Sequence, residues 1–482
     1  MLFSFLASPI KAVITFERLY GGINNDCGFS VAQTSDGGYI IAGETNSFGA
    51  GSPDIYLVKT DSIGDSLWTK TYGGTDWDGG YSVAQTSDGG YIIVGKTNSF
   101  GAGYSDIYLV KTDSIGDSLW TKTYGGINID CGYSVAQTSD GGYIIAGKTN
   151  SFGSGNYDVY IIKTDSLGDT VWIKTFGGTD DDYGRSVALT LDGGYIIAGK
   201  TYSFGAGLDD VYLVKTDSLG DTIWTKTFGD TSNEHGRSVV QTSDGGYIIT
   251  GGTASFGSGY SYVYLIKTDL MGNTTWTKTY GGSVNESGNS VTQTSGGGYI
   301  IAGVTTSFGS RNYDVYLIKT DSLGDTLWTK TYGGTNGDMA FSISQTFDKG
   351  YIITGLTNSF GASSIDIYLI KTDSSGNVTG IKEEEDQRHK TRDMRLFCHP
   401  NPFTTSTIIH LTGIGHSAEG KELKVYDITG RLVKKLSLLT AYSLLPTVVT
   451  WDGRDAEGKK VNAGIYFLKA DGKYVGKVVK VR

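Results

Sequence analysis

The chain has 482 residues, and its formal net charge of −10 argues against nucleic acid as a partner. Its 72 glycines and 38% hydrophobic residues are typical of a core with many turns rather than of a disordered chain. The three cysteines, Cys27, Cys131 and Cys398, are too few for a disulfide framework. The sequence has no apolar stretch of about 20 residues, so no transmembrane helix is predicted.

The N-terminal segment, residues 1–13, begins with MLFSFLASPIKA. Residues 2–7 resemble the end of the apolar region of a signal peptide, but the run is short and lacks a charged start. Two interpretations stay open: a truncated signal segment, or an ordinary chain end.

A repeat of 52 residues, without insertions, runs through most of the chain. One tyrosine recurs at this spacing, as Tyr39, Tyr91, Tyr143, Tyr195, Tyr247, Tyr299 and Tyr351. One tryptophan does the same, as Trp68, Trp120, Trp172, Trp224, Trp276 and Trp328. This self-similarity indicates a single supersecondary unit used seven times.

Each unit is predicted to be a four-stranded antiparallel meander. In the second unit the strands are predicted at residues 81–86, 91–94, 107–111 and 118–123. The sequences SDGG and DSIGD between them supply turn residues, because Asp bonds its own backbone and Gly accepts positive φ. The continuous apolar run YIIV is typical of a strand that is buried on both faces.

Seven such units predict an all-β fold, a seven-bladed β-propeller over residues 14–382, because ring closure buries the faces of every sheet. An open β-solenoid is the alternative. Closure is favoured because residues 14–22 align with the outer strand of a unit, with Phe16 in the tryptophan position. The last unit has Gly380 there, so we expect the N-terminal strand to complete blade seven and remove a free edge.

The string D-x-x-G-D-x-x-W in the units resembles the turn and tryptophan of quinoprotein propeller repeats, in which the tryptophan docks one blade on the next. That resemblance implies no quinone cofactor.

After the repeats the composition changes twice. Residues 383–395 are densely charged and predict a solvated linker. Residues 396–482 lose the repeat and predict a small Ig-like β-sandwich. Its strands are expected at residues 405–411, 424–426, 447–451 and 465–470.

This C-terminal segment carries NPF at 401–403, VYDITGRLV at 425–433, WDGRDAEGKKVNAGIYFLK at 451–469 and KVVKVR at 477–482. In these motifs it resembles the C-terminal sorting domain of the type IX secretion system of Bacteroidetes-type bacteria. The resemblance implies a secretion address read by the type IX machinery, and a secreted or cell-surface protein. The motif residues that would carry the signal are Trp451, Asp452, Gly453, Gly464, Tyr466, Lys477 and Lys480.

One acid per unit precedes the first strand, and these acids are Asp26, Asp78, Asp130, Asp182, Glu234, Glu286 and Asp338. They could form a carboxylate ring at the channel mouth that binds a cation or a polar ligand. The alternative is that each acid accepts backbone N–H bonds in a turn, which an identical residue in every unit favours. No metal is therefore predicted.

Two more acidic patterns recur. One acid precedes the third strand, as Asp54, Asp106, Asp158, Asp210, Asp314 and Asp366, with Tyr262 as the exception. The pair Asp113 and Asp117 also recurs, and could hold Ca²⁺. Its spacing departs from known calcium loops, so turn stabilisation is favoured.

Two loops vary freely between units, and a meander places both on one face. This face is predicted to gather aromatic and polar side chains, among them Trp77, Tyr104, Tyr157, Tyr183 and His235. Such a mixture suits sugar or peptide binding. Neutral drift in exposed loops is the alternative.

The function predicted is adhesion or binding to a glycan or a protein, by a monomer without a cofactor and without catalysis. No nucleophile triad, HExxH motif or phosphate loop occurs in the sequence. The alternatives are a polysaccharide hydrolase or lyase that uses paired acids, and a passive surface scaffold.

Deletion of residues 14–22 should lower the melting temperature and promote aggregation, because it would expose an unpaired strand edge. Thermal melting with light scattering measures both effects. Unchanged melting would contradict the predicted closure.

Overall fold

The computed structural model describes residues 13–256, 260–310, 312–361, 365–379, 395–399, 403–412, 422–437, 447–470 and 473–481. Of the predicted linker 383–395, residues 383–394 lie outside the described residues, as does most of the N-terminal segment. The chain divides into two compact units, one mainly of residues up to 383 and the other mainly of residues 384–482.

The strands of the first unit form seven four-stranded sheets. Their bounds, in chain order, are β1 (Phe16–Tyr20); β2 (Asp26–Gln33), β3 (Tyr39–Thr45), β4 (Asp54–Thr60), β5 (Ser66–Tyr72); β6 (Asp78–Gln85), β7 (Tyr91–Thr97), β8 (Asp106–Thr112), β9 (Ser118–Tyr124); β10 (Asp130–Gln137), β11 (Tyr143–Thr149), β12 (Asp158–Thr164), β13 (Thr170–Phe176); β14 (Asp182–Leu189), β15 (Tyr195–Thr201), β16 (Asp210–Thr216), β17 (Thr222–Phe228); β18 (Glu234–Gln241), β19 (Tyr247–Thr253), β20 (Tyr262–Thr268), β21 (Thr274–Tyr280); β22 (Glu286–Gln293), β23 (Tyr299–Thr305), β24 (Asp314–Thr320), β25 (Thr326–Tyr332); β26 (Asp338–Gln345), β27 (Tyr351–Thr357), β28 (Asp366–Thr372).

Each sheet is the predicted antiparallel meander, which we call a blade. In the second blade β6 pairs with β7, β7 with β8 and β8 with β9. The strands are longer than predicted, because pairing continues past the apolar runs to Asp78, Thr97 and Asp106. A bulge between Gly80 and Ser82 interrupts the inner strand, and the other inner strands carry one at the same place.

Neighbouring blades share one core, which is why the two middle strands of each blade read as continuous apolar runs. Ile92 and Leu109 of the second blade lie in the same cluster as Val135, Ile145 and Ile162 of the third. Burial of each such side chain contributes about 1.5–3 kcal/mol. An isolated blade would expose these faces, so packing against neighbours stabilises every sheet.

Hydrogen bonds repeat the same connection between blades. The Val135 amide donates to Ser82 Oγ at 3.3 Å, and the Ser87 amide donates to Gln137 Oε1 at 2.8 Å. On the outer strands, the Tyr124 hydroxyl donates to the Gly168 carbonyl at 2.6 Å. These bonds fix the register of one blade against the next.

The periodic tryptophans dock blade on blade, as predicted. The Trp120 ring lies 6.0 Å from the Tyr143 ring of the next blade, edge to face. Gly168 of that blade has φ +80°, and a Cβ there would come within 2.8 Å of the Trp120 ring. Glycine is therefore required at this turn by its backbone conformation and by the close approach of the indole.

The predicted ring closure is confirmed. Strand β1 pairs antiparallel with β28, so the N-terminal strand is the fourth strand of the last blade. Phe16 pairs with Lys371, which is the register of Trp120 against Lys111, and it packs against Tyr39 at 6.0 Å.

The first and last blades are also joined by the hydrogen bonds that join the others. The Val31 amide donates to Ser342 Oγ at 3.2 Å, and the Phe347 amide donates to Gln33 Oε1 at 2.8 Å. No gap therefore separates the two ends of the array, and the seven blades form a closed β-propeller.

The second unit has two sheets with one core. Its strands are β29 (Arg395–His399), β30 (Thr407–Thr412), β31 (Glu422–Tyr426), β32 (Leu432–Ser437), β33 (Thr447–Trp451), β34 (Gly464–Ala470) and β35 (Lys473–Lys480). One sheet has the order β29-β30-β33 and the other β32-β31-β34-β35. Ile409 and Trp451 of the first sheet pack with Leu423 and Leu468 of the second. An Ig-like relationship stays a prediction.

The motif residues of this unit are parts of its fold. Trp451 is fully buried, its ring is 5.0 Å from that of Tyr466, and its indole N–H donates to the Arg454 carbonyl. Gly453 has φ +66°, and a Cβ there would come within 2.7 Å of the Lys480 side chain. The Asp452 carboxylate accepts the Arg454 amide, while Gly464 and Lys477 lie in β34 and β35. Their role as a sorting signal stays a prediction.

Phe16→Ala should destabilise the protein by about 3–5 kcal/mol, because Phe16 is only 1% exposed and closes the ring. Urea unfolding measures the change. Phe347→Ala is the control, because Phe347 is 73% exposed and its loss should cost less than about 0.5 kcal/mol. Equal small losses in both variants would contradict the closure.

Candidate ligand-binding face

One face of the propeller carries both kinds of variable loop, as predicted. In the second blade Asp78 pairs with Thr97 and Thr97 with Asp106, so the start of β6, the end of β7 and the start of β8 are side by side. The loops that leave these ends are the one between the second and third strands and the one between successive blades. We call this surface the loop face.

The seven acids predicted for the channel mouth are instead buried at the start of the inner strands, with at most 1% exposure. Asp78 shows the arrangement: its Oδ2 accepts the Gly74 amide at 2.8 Å and the Ser99 hydroxyl at 2.6 Å. Glu234 likewise accepts the Asp230 amide at 2.9 Å. The prediction of an exposed ring of carboxylates is therefore wrong. Pairing continues to the first residue of the strand and removes each acid from water. The acids in question are Asp26, Asp78, Asp130, Asp182, Glu234, Glu286 and Asp338.

The second periodic acid is also buried, and it lies beside the first acid of the next blade. Asp106 Oδ2 accepts the Ala102 amide at 2.8 Å. A Cβ on Gly125 would lie 2.0 Å from Asp106 Oδ1 and 2.6 Å from Asp130 Oδ2, so both carboxyl groups converge on this glycine. Burial raises the pKa of Asp106, and Asp130 raises it further, against the lowering effect of the Ala102 and Gly103 amides.

The paired turn acids stabilise their turn, as the favoured interpretation expected. Asp113 Oδ1 accepts the amides of Ile115 and Asp117 at 3.0 and 2.8 Å. Within the residues that the structure describes, no group of three or more His, Cys, Asp and Glu side chains could hold a metal ion. All three cysteines are free.

The predicted aromatic residues are on or next to the loop face and fall into two groups. The indole N–H of Trp77 donates to Glu44 Oε2 at 3.1 Å, and Lys96 Nζ lies 3.3 Å from the centre of its ring. Tyr157 and Tyr183 are stacked, with their centroids 5.7 Å apart.

The other predicted residues differ in exposure. Tyr104 is 78% exposed, and His235 is half-buried, with its Nε2 3.4 Å from Ser287 Oγ.

Residues around the propeller axis were missed by the sequence analysis. The fourth residue of each inner strand faces its counterparts, and these residues are Phe29, Tyr81, Tyr133, Arg185, Arg237, Asn289 and Phe341. Ring centroids of Phe29 and Phe341 are 5.3 Å apart, those of Phe29 and Tyr81 are 5.4 Å apart, and those of Tyr81 and Tyr133 are 5.8 Å apart. The sequence did contain a signal for these residues. The position varies from unit to unit, although the residue before it is always small and the residue after it is always serine.

A second variable position lies on the neighbouring strand of each blade, at Glu44, Lys96, Lys148, Lys200, Gly252, Val304 and Leu356. Together the two positions place cations in the second to fifth blades, and Lys96 of the second blade lies over the ring of Trp77. We call Lys148, Arg185, Lys200 and Arg237 the axial cluster. The opposite side has Asn289, Phe341, Val304 and Leu356, which carry no charge.

Tyrosine faces hold the cations of the axial cluster. Lys148 Nζ lies 3.9 Å from the ring centre of Tyr157 and 4.7 Å from that of Tyr183. Arg185 Cζ lies 4.3 Å from the ring centre of Tyr133, and Lys200 Nζ lies 5.1 Å from that of Tyr183. Such contacts each contribute about 0.5–2 kcal/mol.

The cations are close enough to affect the titration of their neighbours. The pKa of His235 is lowered to about 3, first by burial and then by Arg237, Lys200 and Arg185, so this imidazole is neutral. The pKa of Lys148 is also lowered, mainly by burial. The cluster therefore concentrates positive charge on one side of the axis.

No helix of the described residues has the length and apolar character needed to cross a membrane.

Comparisons with known proteins give distant likenesses. No family profile matches the chain. The regulatory protein FlaEY of Caulobacter vibrioides is 28% identical in an alignment of 255 residues that covers 46% of this chain but only 26% of that protein. The match thus spans about a quarter of the relative's length.

Two solved structures are similar at 10% identity. The WD40 domain of Neurospora crassa Pan2 aligns over 77% of this chain and 99% of that domain, with a TM-score of 0.45. A puromycin hydrolase aligns over 80% of this chain and 58% of its own, with a TM-score of 0.48. At these scores neither supports an inference about function, and the blade number rests on the pairing of the strands.

Asp106→Asn should flatten the dependence of stability on pH. A raised folded-state pKa means that protonated Asp106 stabilises the fold below its unfolded pKa of about 4, and that this contribution is lost as the pH rises through the folded pKa. The neutral asparagine has no such dependence. We expect a smaller fall in melting temperature between about pH 4 and pH 8 than in the unmodified protein.

Asp169→Asn is the matched control for this experiment, because Asp169 is exposed and pairs with Lys122 at the surface. Its pH dependence should follow that of the unmodified protein. Equal slopes for Asp106→Asn and the unmodified protein would show that burial does not perturb Asp106.

Proposed function

We propose that the protein is a non-catalytic binding protein that takes its ligand on the loop face, around the propeller axis. The observation that carries this proposal is the breakdown of the repeat at the axis. The inner-strand serine that bonds the next blade recurs in every unit, whereas the axial positions range from Phe and Asn to Lys and Arg. Side chains that differ while their scaffold is constant are typical of a recognition surface.

The equivalence of the periodic acids supports binding over the hydrolase alternative. A glycosidase needs two carboxyl groups about 5–10 Å apart in a cleft, one acidic and the other ionised. The seven acids of the inner strands have the same burial, and the hydrogen bonds of Asp78 recur at Asp130 and Asp182. All seven are at most 1% exposed, so none of them is open to a substrate in a cleft.

We also propose that the protein works outside the cell, secreted or displayed on the outer surface, where it serves adhesion. This proposal rests on the sequence motifs of residues 396–482 and on their resemblance to type IX sorting domains. In this proposal the type IX machinery is the partner of the second unit, and the propeller carries the ligand-binding function.

Binding can be tested with a glycan array and the full chain. We expect at least one glycan to bind, and Tyr183→Ala to weaken it about tenfold or more, because Tyr183 orders three cations of the axial cluster. Phe347→Ala removes an exposed aromatic ring from the opposite face and should leave binding unchanged. Equal effects of the two variants, or an array without any bound glycan, would contradict the proposal.

A further inference from the structure

The axial cluster contains cations that the protein itself leaves unneutralised. Among the described residues, Lys148, Arg185 and Arg237 have no carboxylate within ion-pair distance, whereas Lys200 pairs with Asp209 at 3.2 Å. By contrast, the buried Lys111 pairs with Asp88 at 2.8 Å. Lys148 and Arg185 are half-buried, and partly buried charges without a counterion are costly, so their grouping requires a reason.

The acids around the cluster have other hydrogen-bond partners, although Asp181 also acts electrostatically on Lys148. Asp181 accepts the hydroxyl of Tyr183 at 2.9 Å, and Glu44 accepts the indole of Trp77. Asp209 is committed to Lys200, and Asp182 and Glu234 are buried in hydrogen bonds to serine and backbone groups. The region stays positive within a chain whose net charge is −10.

The positions and the exposure of the cations make the cluster accessible from the loop face. Lys148 and Lys200 are the last residues but one of their strands, next to the loops of that face. Their side chains are half-buried, and Arg237 is exposed. Gly252 occupies the lysine position in the fifth blade, and a Cβ there would lie within 2.7 Å of the His235 ring, so the uncharged His235 fills that space.

We propose that the axial cluster binds the acidic group of an anionic polysaccharide, either a uronate carboxylate or a sulfate ester. This inference rests on the proposed function and assigns its ligand class. Arg185 and Arg237 offer planar donor groups that suit carboxylate and sulfate, and Lys148 adds a point charge. Tyr104 is 78% exposed in a loop of the loop face, and such a ring suits the apolar face of a sugar.

An acidic peptide would satisfy the cations as well, but the surroundings favour a sugar. The cations are confined to one sector, so they fit one or two anionic groups rather than a run of carboxylates. The aromatic residues that contact the cations are Tyr133, Tyr157 and Tyr183, and tyrosine combines an apolar face with a polar group.

The test measures binding of the full chain to polygalacturonate, its methyl-esterified neutral form, dextran sulfate and poly-glutamate by calorimetry. The axial variant is Lys148→Met, Arg185→Gln, Arg237→Gln. The matched control is Lys122→Met, Lys174→Met, Lys278→Met, which removes the same charge from exposed ion pairs of the outer strands. The axial variant loses the cation–π contacts of Lys148 and Arg185 and also the repulsion between like charges, so its melting is measured first and binding is compared at a temperature where it is folded.

We expect polygalacturonate or dextran sulfate to bind, and these two arms distinguish a carboxylate from a sulfate site. Methyl esterification and the axial variant should each weaken binding about tenfold or more, and added salt should weaken it further. The control should bind as the unmodified protein does.

Three results would overturn the inference. Equal losses in both triple variants would show unspecific attraction, and tighter binding of poly-glutamate would assign the site to acidic peptides. Binding of a neutral glycan that Tyr183→Ala weakens and the axial variant leaves unchanged would refute the anionic ligand while the proposed function stands. Absence of binding to every polyanion and to the glycan array would refute the proposed function itself.

Discussion

Contact between neighbouring blades is the constraint on which the rest of the structure depends. Each blade has two middle strands that are buried on both faces, and only another blade can cover them. The tryptophan of the outer strand and the serine of the inner strand make the same contacts at each interface. At the interface between the first and last blades, Phe16 and Ser342 make the contacts that tryptophan and serine make elsewhere, so this interface is formed like the others.

This constraint determines where the sequence is free to change. Residues between blades have little freedom, because a larger side chain at Gly168 would collide with Trp120. The axial positions are less restricted: aromatic rings pack across blades at Phe29, Tyr81 and Tyr133, but cations occupy the same position in the fourth and fifth blades. The two axial positions are therefore informative: the second to fifth blades place cations there, whereas the first, sixth and seventh blades place neutral residues or a lone acid. Tyrosine rings hold Lys148 and Arg185 in position.

The sequence predicted the parts of the fold that repeat, and it failed where position in the blade decides the environment. The period, the strand count and the closing strand follow from spacing, and Phe16 was placed in the correct register. Asp78 was expected in an exposed loop, but a residue at the first position of a paired inner strand is buried. Arg185 and Arg237 were not predicted as site residues, because the binding face was predicted from the loops and these two residues lie in inner strands. Only the blade geometry shows that one strand of each unit faces the axis.

Hydrogen exchange of the backbone amides is the most direct test of the closed ring. If β1 completes the last blade, the amides of residues 16–20 that bond to β28 should exchange as slowly as their counterparts in β9 and β13. They should also lose protection together with β28 as denaturant is added. Exchange of residues 16–20 at the rate of an unfolded chain, while the other outer strands stay protected, would contradict closure and with it the account of the axis.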